Sequence, residues 1–106
     1  MNRMTKDDPL AKLQAESAQN RLNFIKIELA LCFTFSTIAA RKYETGNQAS
    51  AAWSMANAER AYETVIQFLS DPKHSKHLTG EDRQNITAEL ERLRERLDRL
   101  IRSFRK

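Results

Sequence analysis

The sequence predicts an all-α fold, an antiparallel up-down-up three-helix bundle with a long first helix, and three observations carry that expectation. Only two glycines and two prolines occur in 106 residues, whereas a β-rich chain needs a turn about every 8–12 residues. Those four residues, Pro9, Gly46, Pro72 and Gly80, divide the chain into three long breaker-free segments. Within each segment apolar residues recur at three- and four-residue spacing, the period of an amphipathic helix. At this length the chain is read as one domain, 1–106.

The first helix is expected over about 9–44, after a polar start at 1–8 that frays. Asp8 is placed to cap it, and Pro9 fits the first helical position, where a missing N–H costs nothing. At 1.5 Å per residue it would be about 54 Å long. One stripe holds Leu22, Ile25, Leu29 and Cys32, and a second holds Phe24, Ile27, Leu31, Phe35 and Ile38. A helix apolar around most of its circumference is expected to be covered on more than one side.

Gly46 and Asn47 form the bend, the glycine as a left-handed C′ residue and the asparagine as the next cap. The second helix follows over about 48–69, with Ala51, Met55, Ala58, Tyr62, Val65 and Leu69 on its main stripe. Ala52, Ala56 and Ala61 widen its small-residue surface, and Trp53 projects away from that stripe. The stretch 70–80 reads as the one long loop, because Asp71 before Pro72 is biased out of the α region.

Thr79 and Asp82 resemble a capping box that opens a third helix over about 80–104. Its seam is a strict heptad, Ile86, Leu90, Leu93, Leu97, Leu100 and Phe104. The rest of its surface is charged, with Glu89–Arg92, Glu91–Arg94, Glu95–Arg99 and Asp98–Arg102 at favourable spacing. The second and third helices would each span about 33–38 Å, so roughly ten residues at the start of the first helix overhang them. That overhang, Trp53 and the strict seam together point to a homodimer that uses the first helix and one flanking helix.

Composition narrows the function classes. A single cysteine, Cys32, allows no internal disulfide, and its apolar surroundings make it a small buried hydrophobe. The N-terminus lacks the apolar stretch of a signal peptide. The longest uncharged run, 29–40, is shorter than the ~20 residues a bilayer span requires. No membrane span and a cytoplasmic location are the resulting expectations.

No phosphate-binding glycine loop, paired C-x-x-C or H-E-x-x-H occurs, and no serine or histidine spacing supports a nucleophile with its base. Glu28, Glu59 and Glu63 lack the Glu-x-x-His partner of a carboxylate-bridged metal site. Glu59, Arg60 and Glu63 read as a solvated face. His74 and His77 stand beside Lys73 and Lys76, which repel a cation, so that segment reads as a solvated basic loop. The expectation is a non-enzymatic protein with no catalytic residue, cofactor or metal.

Two surfaces remain as candidates. Trp53, with Arg60, is a candidate partner contact, since aromatic and arginine anchors dominate interfaces; the alternative for Trp53 is a half-buried cap against the end of the third helix. Net charge is +4, and the last eight residues carry four basic side chains and no acid. Arg92, Arg96, Arg99, Arg102, Arg105 and Lys106 could therefore reach the phosphates of a nonspecifically bound nucleic acid. The other reading of the basic end is complementation of a helix dipole.

The segment 39–63 adds a resemblance. Ala39 or Ala40, Tyr43, Gly46, Ala51 and Ala58 resemble the small residue, aromatic, turn glycine and second-helix alanines of one tetratricopeptide unit. The microtubule-interacting-and-trafficking type of three-helix domain is similar to it in the same features. Both families bind peptide segments, so the resemblance implies a helical hairpin engaged in protein contact. A tetratricopeptide solenoid needs about three units to bury its faces, and only one is present.

Overall fold

A computed structural model describes residues 9–105. The expected fraying of 1–8, the Asp8 cap and Lys106 lie outside the described residues. The fold is all-α, and the described residues contain no strand. Four helices follow one another: α1 (Pro9–Glu44), α2 (Gln48–Ser70), α3 (Pro72–Ser75) and α4 (Gly80–Phe104).

Local chemistry accounts for each boundary. Gly46 has φ +82°, and its N–H donates to Tyr43 O while Asn47 N–H reaches Lys42 O at 2.8 Å. Those two bonds are the Schellman closure of α1, and Arg41 and Lys42 sit in its last turn against the negative helix end. Asn47 then opens α2 by accepting from Ser50 N at 3.1 Å. The expected loop at 70–80 is instead interrupted by α3. Asp71 ends α2 and also caps α3, accepting from Lys73 N at 2.9 Å. At α4, Thr79 Oγ1 accepts from Asp82 N at 2.9 Å and Asp82 Oδ2 accepts from Thr79 N at 3.3 Å, a reciprocal capping box.

The core has two parts. Near the α1–α2 bend, Cys32 and Ala39 of α1 pack with Met55, Ala58 and Ala61 of α2 and with Leu93 and Leu97 of α4. Small side chains at this contact let the helix axes approach closely. Toward the other end, Ile25, Val65, Ile86 and Leu90 cluster with Leu78 from the α3–α4 connection. Each large apolar side chain fully buried in these clusters contributes about 1.5–3 kcal/mol.

Two expectations about packing are corrected here. Most of the α4 seam is covered within this one chain, where Ile86, Leu90, Leu93 and Leu97 are buried and Leu100 and Phe104 half-buried. Of the three alanines expected to widen the close contact, Ala61 is buried as expected, whereas Ala52 and Ala56 are exposed and Ser54 is buried in addition.

The molecule is elongated, with extents of 69 × 20 × 17 Å and a radius of gyration of 18.1 Å, against about 13 Å for a compact chain of 100 residues. The start of α1 explains this shape, since every residue from 9 to 16 except Ala11 is exposed. α1 is also the one helix among the described residues long and apolar enough to cross a membrane by length and composition. One 18-residue window has mean hydropathy 1.5 with 28% of it buried.

Candidate interaction surface

The two apolar stripes of α1 have different fates. Ile25 and Cys32 are fully buried and Leu22 and Leu29 half-buried, so the first stripe faces the core. On the second, Phe24, Ile27 and Leu31 are exposed, while Phe35 and Ile38 are half-buried. Ile27 keeps 58% of its surface open to solvent. Within a single chain α1 is therefore covered by both α2 and α4, but much of its second stripe stays open. Leu10 and Leu13 add exposed apolar surface at the start of the helix.

α2 extends this face. Phe68 lies beside Phe24 with ring centroids 5.1 Å apart. Trp53 meets Phe35 edge-on at 5.9 Å and an interplanar angle of 79°. The pairs Phe24–Phe68 and Phe35–Trp53 run in opposite sequence order along the two helices. Trp53 is 63% exposed, so it is not a half-buried cap on α4. That end is taken by Phe104, stacked on Tyr43 at 4.4 Å, with Tyr43 Oη donating to Ser103 O at 3.1 Å. Arg60 is exposed two turns beyond Trp53 on the same side of α2.

The arginines of α4 do not form one free strip. Arg96 turns inward, donating from Nε to Ser36 Oγ at 2.7 Å and from Nη2 to Thr37 Oγ1 at 3.0 Å, with its guanidinium over the Phe33 ring. Ser36 is completely buried and donates in turn to Phe33 O at 2.7 Å. Arg92 pairs with Glu89 and Arg99 with Glu95, as their spacing predicts. Arg102 and Arg105 are exposed.

Arg94 departs from its expected helical partner Glu91. It bridges to α2, with Nη1 and Nη2 on the two carboxylate oxygens of Glu59 at 3.0 and 2.8 Å, and it also holds Asp98, which the spacing had given to Arg102. The Glu59 hydrogen bonds raise the Arg94 pKa further above its ordinary value. Glu59 is thus a cross-helix anchor and not part of a solvated face. Sequence spacing along one helix carries no signal for a pair closed between two helices.

His74 is likewise held. Its ring stacks on Phe68 at 4.0 Å, and its Nδ1 accepts from Arg21 Nε at 3.1 Å. Arg21 also donates to Ser17. Together with Leu13, Glu16, Asn20 and Phe24 these groups border an open cleft of about 470 Å³ between the start of α1 and the α2–α3 corner. His77 has its pKa lowered by partial desolvation and by the nearby Arg21, Lys76 and His74. No three His, Cys, Asp or Glu side chains converge among the described residues in a way that could hold a metal ion. Burial pushes the Cys32 thiol up to about 11, which keeps it protonated and unreactive at neutral pH.

No protein-family model, curated protein or solved structure matches the chain. Fold and surface define the class on their own: a small, elongated all-α protein in which Arg94, Arg96 and His74 are held by residues of other helices and an apolar face along α1 is left open.

Proposed function

We propose that the protein is a non-enzymatic helical interaction module that self-associates, built as an up-down-up unit of three long helices, α1, α2 and α4. The observation that carries this reading is the exposed row Phe24, Ile27, Leu31 and Trp53 on one side of the molecule. Contiguous apolar surface of this kind marks a contact site in a folded chain. Trp53 is its aromatic anchor and Arg60 stands at its polar margin. Protein contact is favoured over a bilayer span because the same stretch of α1 places Ile25, Cys32, Ser36 and Ala39 in a core shared with α2 and α4. A cytoplasmic location accords with this reading.

Light scattering after size exclusion tests it. The expected mass at tens of micromolar is twice 12.3 kDa, unchanged between low and high salt. A monomer across that range would refute self-association. Retention on duplex DNA that falls steeply with salt would instead favour a basic module acting through Arg102 and Arg105.

A further inference from the structure

The open side of α1 has a regularity that the two stripes do not capture. Leu10, Leu13, Ser17, Asn20, Phe24, Ile27, Leu31, Thr34 and Ile38 follow one another at alternating spacings of three and four. The spacing is that of a heptad seam, apolar at six of its nine positions and polar at Ser17, Asn20 and Thr34. Ser17 and Ile38 are half-buried and the others are exposed. α4 directs its own heptad seam into the core of the chain, whereas α1 directs this one outward.

We propose that this seam pairs with the same seam of a second copy, antiparallel, about a two-fold axis level with Ile25 and Lys26. The inference rests on the self-association reading and adds which helix docks, in which direction and in which register.

Three features fix that geometry. The first is length: this register lays residues 9–42 of one helix along 42–9 of the other, so the overhanging start of each α1 rests on the far half of its mate. Shifting it by a heptad in either direction leaves a turn or two of one end uncovered. The second is layer chemistry. Phe24 meets Ile27 of the second copy, Ile38 meets its Leu13, Ser17 meets its Thr34, and Asn20 meets its Leu31 as the one mixed layer of the seam. The stem of Arg41 lies along Leu10 of that copy, with its charge free to reach water. A parallel pairing in register would set Arg41 against Arg41.

The third is charge. In an antiparallel pair the flanking positions on one side of the seam face each other across the axis, which brings Arg21 to Glu28 of the second copy, twice by symmetry. Opposed helix dipoles favour the same direction. Phe35 and Trp53 lie on that flank, where the start of the second α1 passes over them. The exposed overhang and the exposed tryptophan thereby cover each other.

Cross-linking of the full-length chain tests this arrangement. Leu13→Cys and Ile38→Cys are made separately in a Cys32→Ala background, mixed, and treated with a short bismaleimide. The expected product is a mixed dimer carrying one chain of each kind, with little product from either variant alone. Predominant Leu13–Leu13 and Ile38–Ile38 products would overturn the proposal in favour of a parallel pair. A dimeric mass with no product from any combination would place the interface elsewhere and overturn the seam while leaving self-association standing. A monomeric mass would remove both, and co-sedimentation of that monomer with anionic phospholipid vesicles would assign the face to a membrane surface.

Because the Cys32 site is in the core, Ile27→Glu in the otherwise native chain supplies a second readout. It should halve the mass while keeping the helical circular dichroism, and an unchanged dimeric mass would overturn the proposal.

Discussion

Arg94 and Glu59 join α4 to α2 through two parallel hydrogen bonds of 3.0 and 2.8 Å, and the Arg94 guanidinium lies 5.0 Å from the centroid of the Tyr62 ring. The fork matches the carboxylate in plane, so both of its oxygens are satisfied by one side chain. Arg94 and Glu59 each keep about a third of their surface in water (32% and 33%). Solvent therefore screens the pair, and its coupling should be about 1 kcal/mol, above the usual surface value because of the bidentate geometry. A double-mutant cycle with Arg94→Met and Glu59→Gln in urea should return that coupling. A value near zero would show the bridge to be decorative. The Arg94 pKa is raised, so the cation's contribution holds below its unfolded pKa and is lost only far above the working range; on the arginine side the coupling is flat from pH 5 to 9.

Gly46 offers a test of the bend. Its φ of +82° lies in the left-handed region, and a Cβ built there meets no atom within 4 Å. Gly46→Ala should therefore pay only the backbone cost of that conformation, about 1–2 kcal/mol. For a domain of this size that is roughly 4–8 °C in Tm per kcal/mol. Gly46→Asn should lose less, since asparagine visits this region more readily. Equal stability of the alanine variant and the parent would contradict the Schellman closure. All comparisons need one protein concentration, because self-association would link stability to it.

The sequence made the helices and their ends legible because each is a local matter. Gly46–Asn47 and Thr79–Asp82 carry their capping chemistry within a few residues, and the α4 seam is a period that no other secondary structure shares. What stayed hidden was set by distance. Arg94 pairs with Asp98 along its own helix, yet its two-pronged partner is Glu59, thirty-five residues away in sequence. Arg96 sits among solvent-facing arginines by spacing, yet it reaches buried Ser36 on α1. Periodicity also found both apolar stripes of α1 but could not say which would face α2 and α4, since two apolar faces on one helix are equivalent until the other helices choose between them.

Cys32 makes stability depend on pH in a defined direction. Its thiol moves from an ordinary 9.0 to about 11, first through desolvation and then through the Glu59 charge. The folded chain therefore holds this proton more tightly than the unfolded chain. Stability should be indifferent to the thiol below pH 9 and should fall as pH rises from 9 to 11. The full loss is on the order of 2–3 kcal/mol. Tyr62, whose pKa is also raised by desolvation, adds a loss of the same sign at higher pH. Urea titrations at several pH values should show a shallower alkaline slope in Cys32→Ala than in the parent. Identical slopes would mean that the thiol is not desolvated.

Ser54 gives the prediction with the opposite sign. Its side chain is buried, 1% exposed, and among the described residues its Oγ is the one buried side-chain polar atom with no hydrogen-bond partner. Ser36, Thr37, Thr64 and Ser70 each donate to a helix carbonyl three or four residues back, which is the usual outlet for a hydroxyl inside a helix. A hydroxyl held out of water without such a bond costs about 1–3 kcal/mol. Ser54→Ala removes that cost, leaves a volume change smaller than a methyl group and replaces a modest helix former with the best one. It should raise stability by about 1 kcal/mol, read as a higher urea midpoint at unchanged slope. A destabilised Ser54→Ala would mean that the hydroxyl has a partner in solution, and a lower slope would mean that the contact between α1 and α2 had loosened around the smaller side chain.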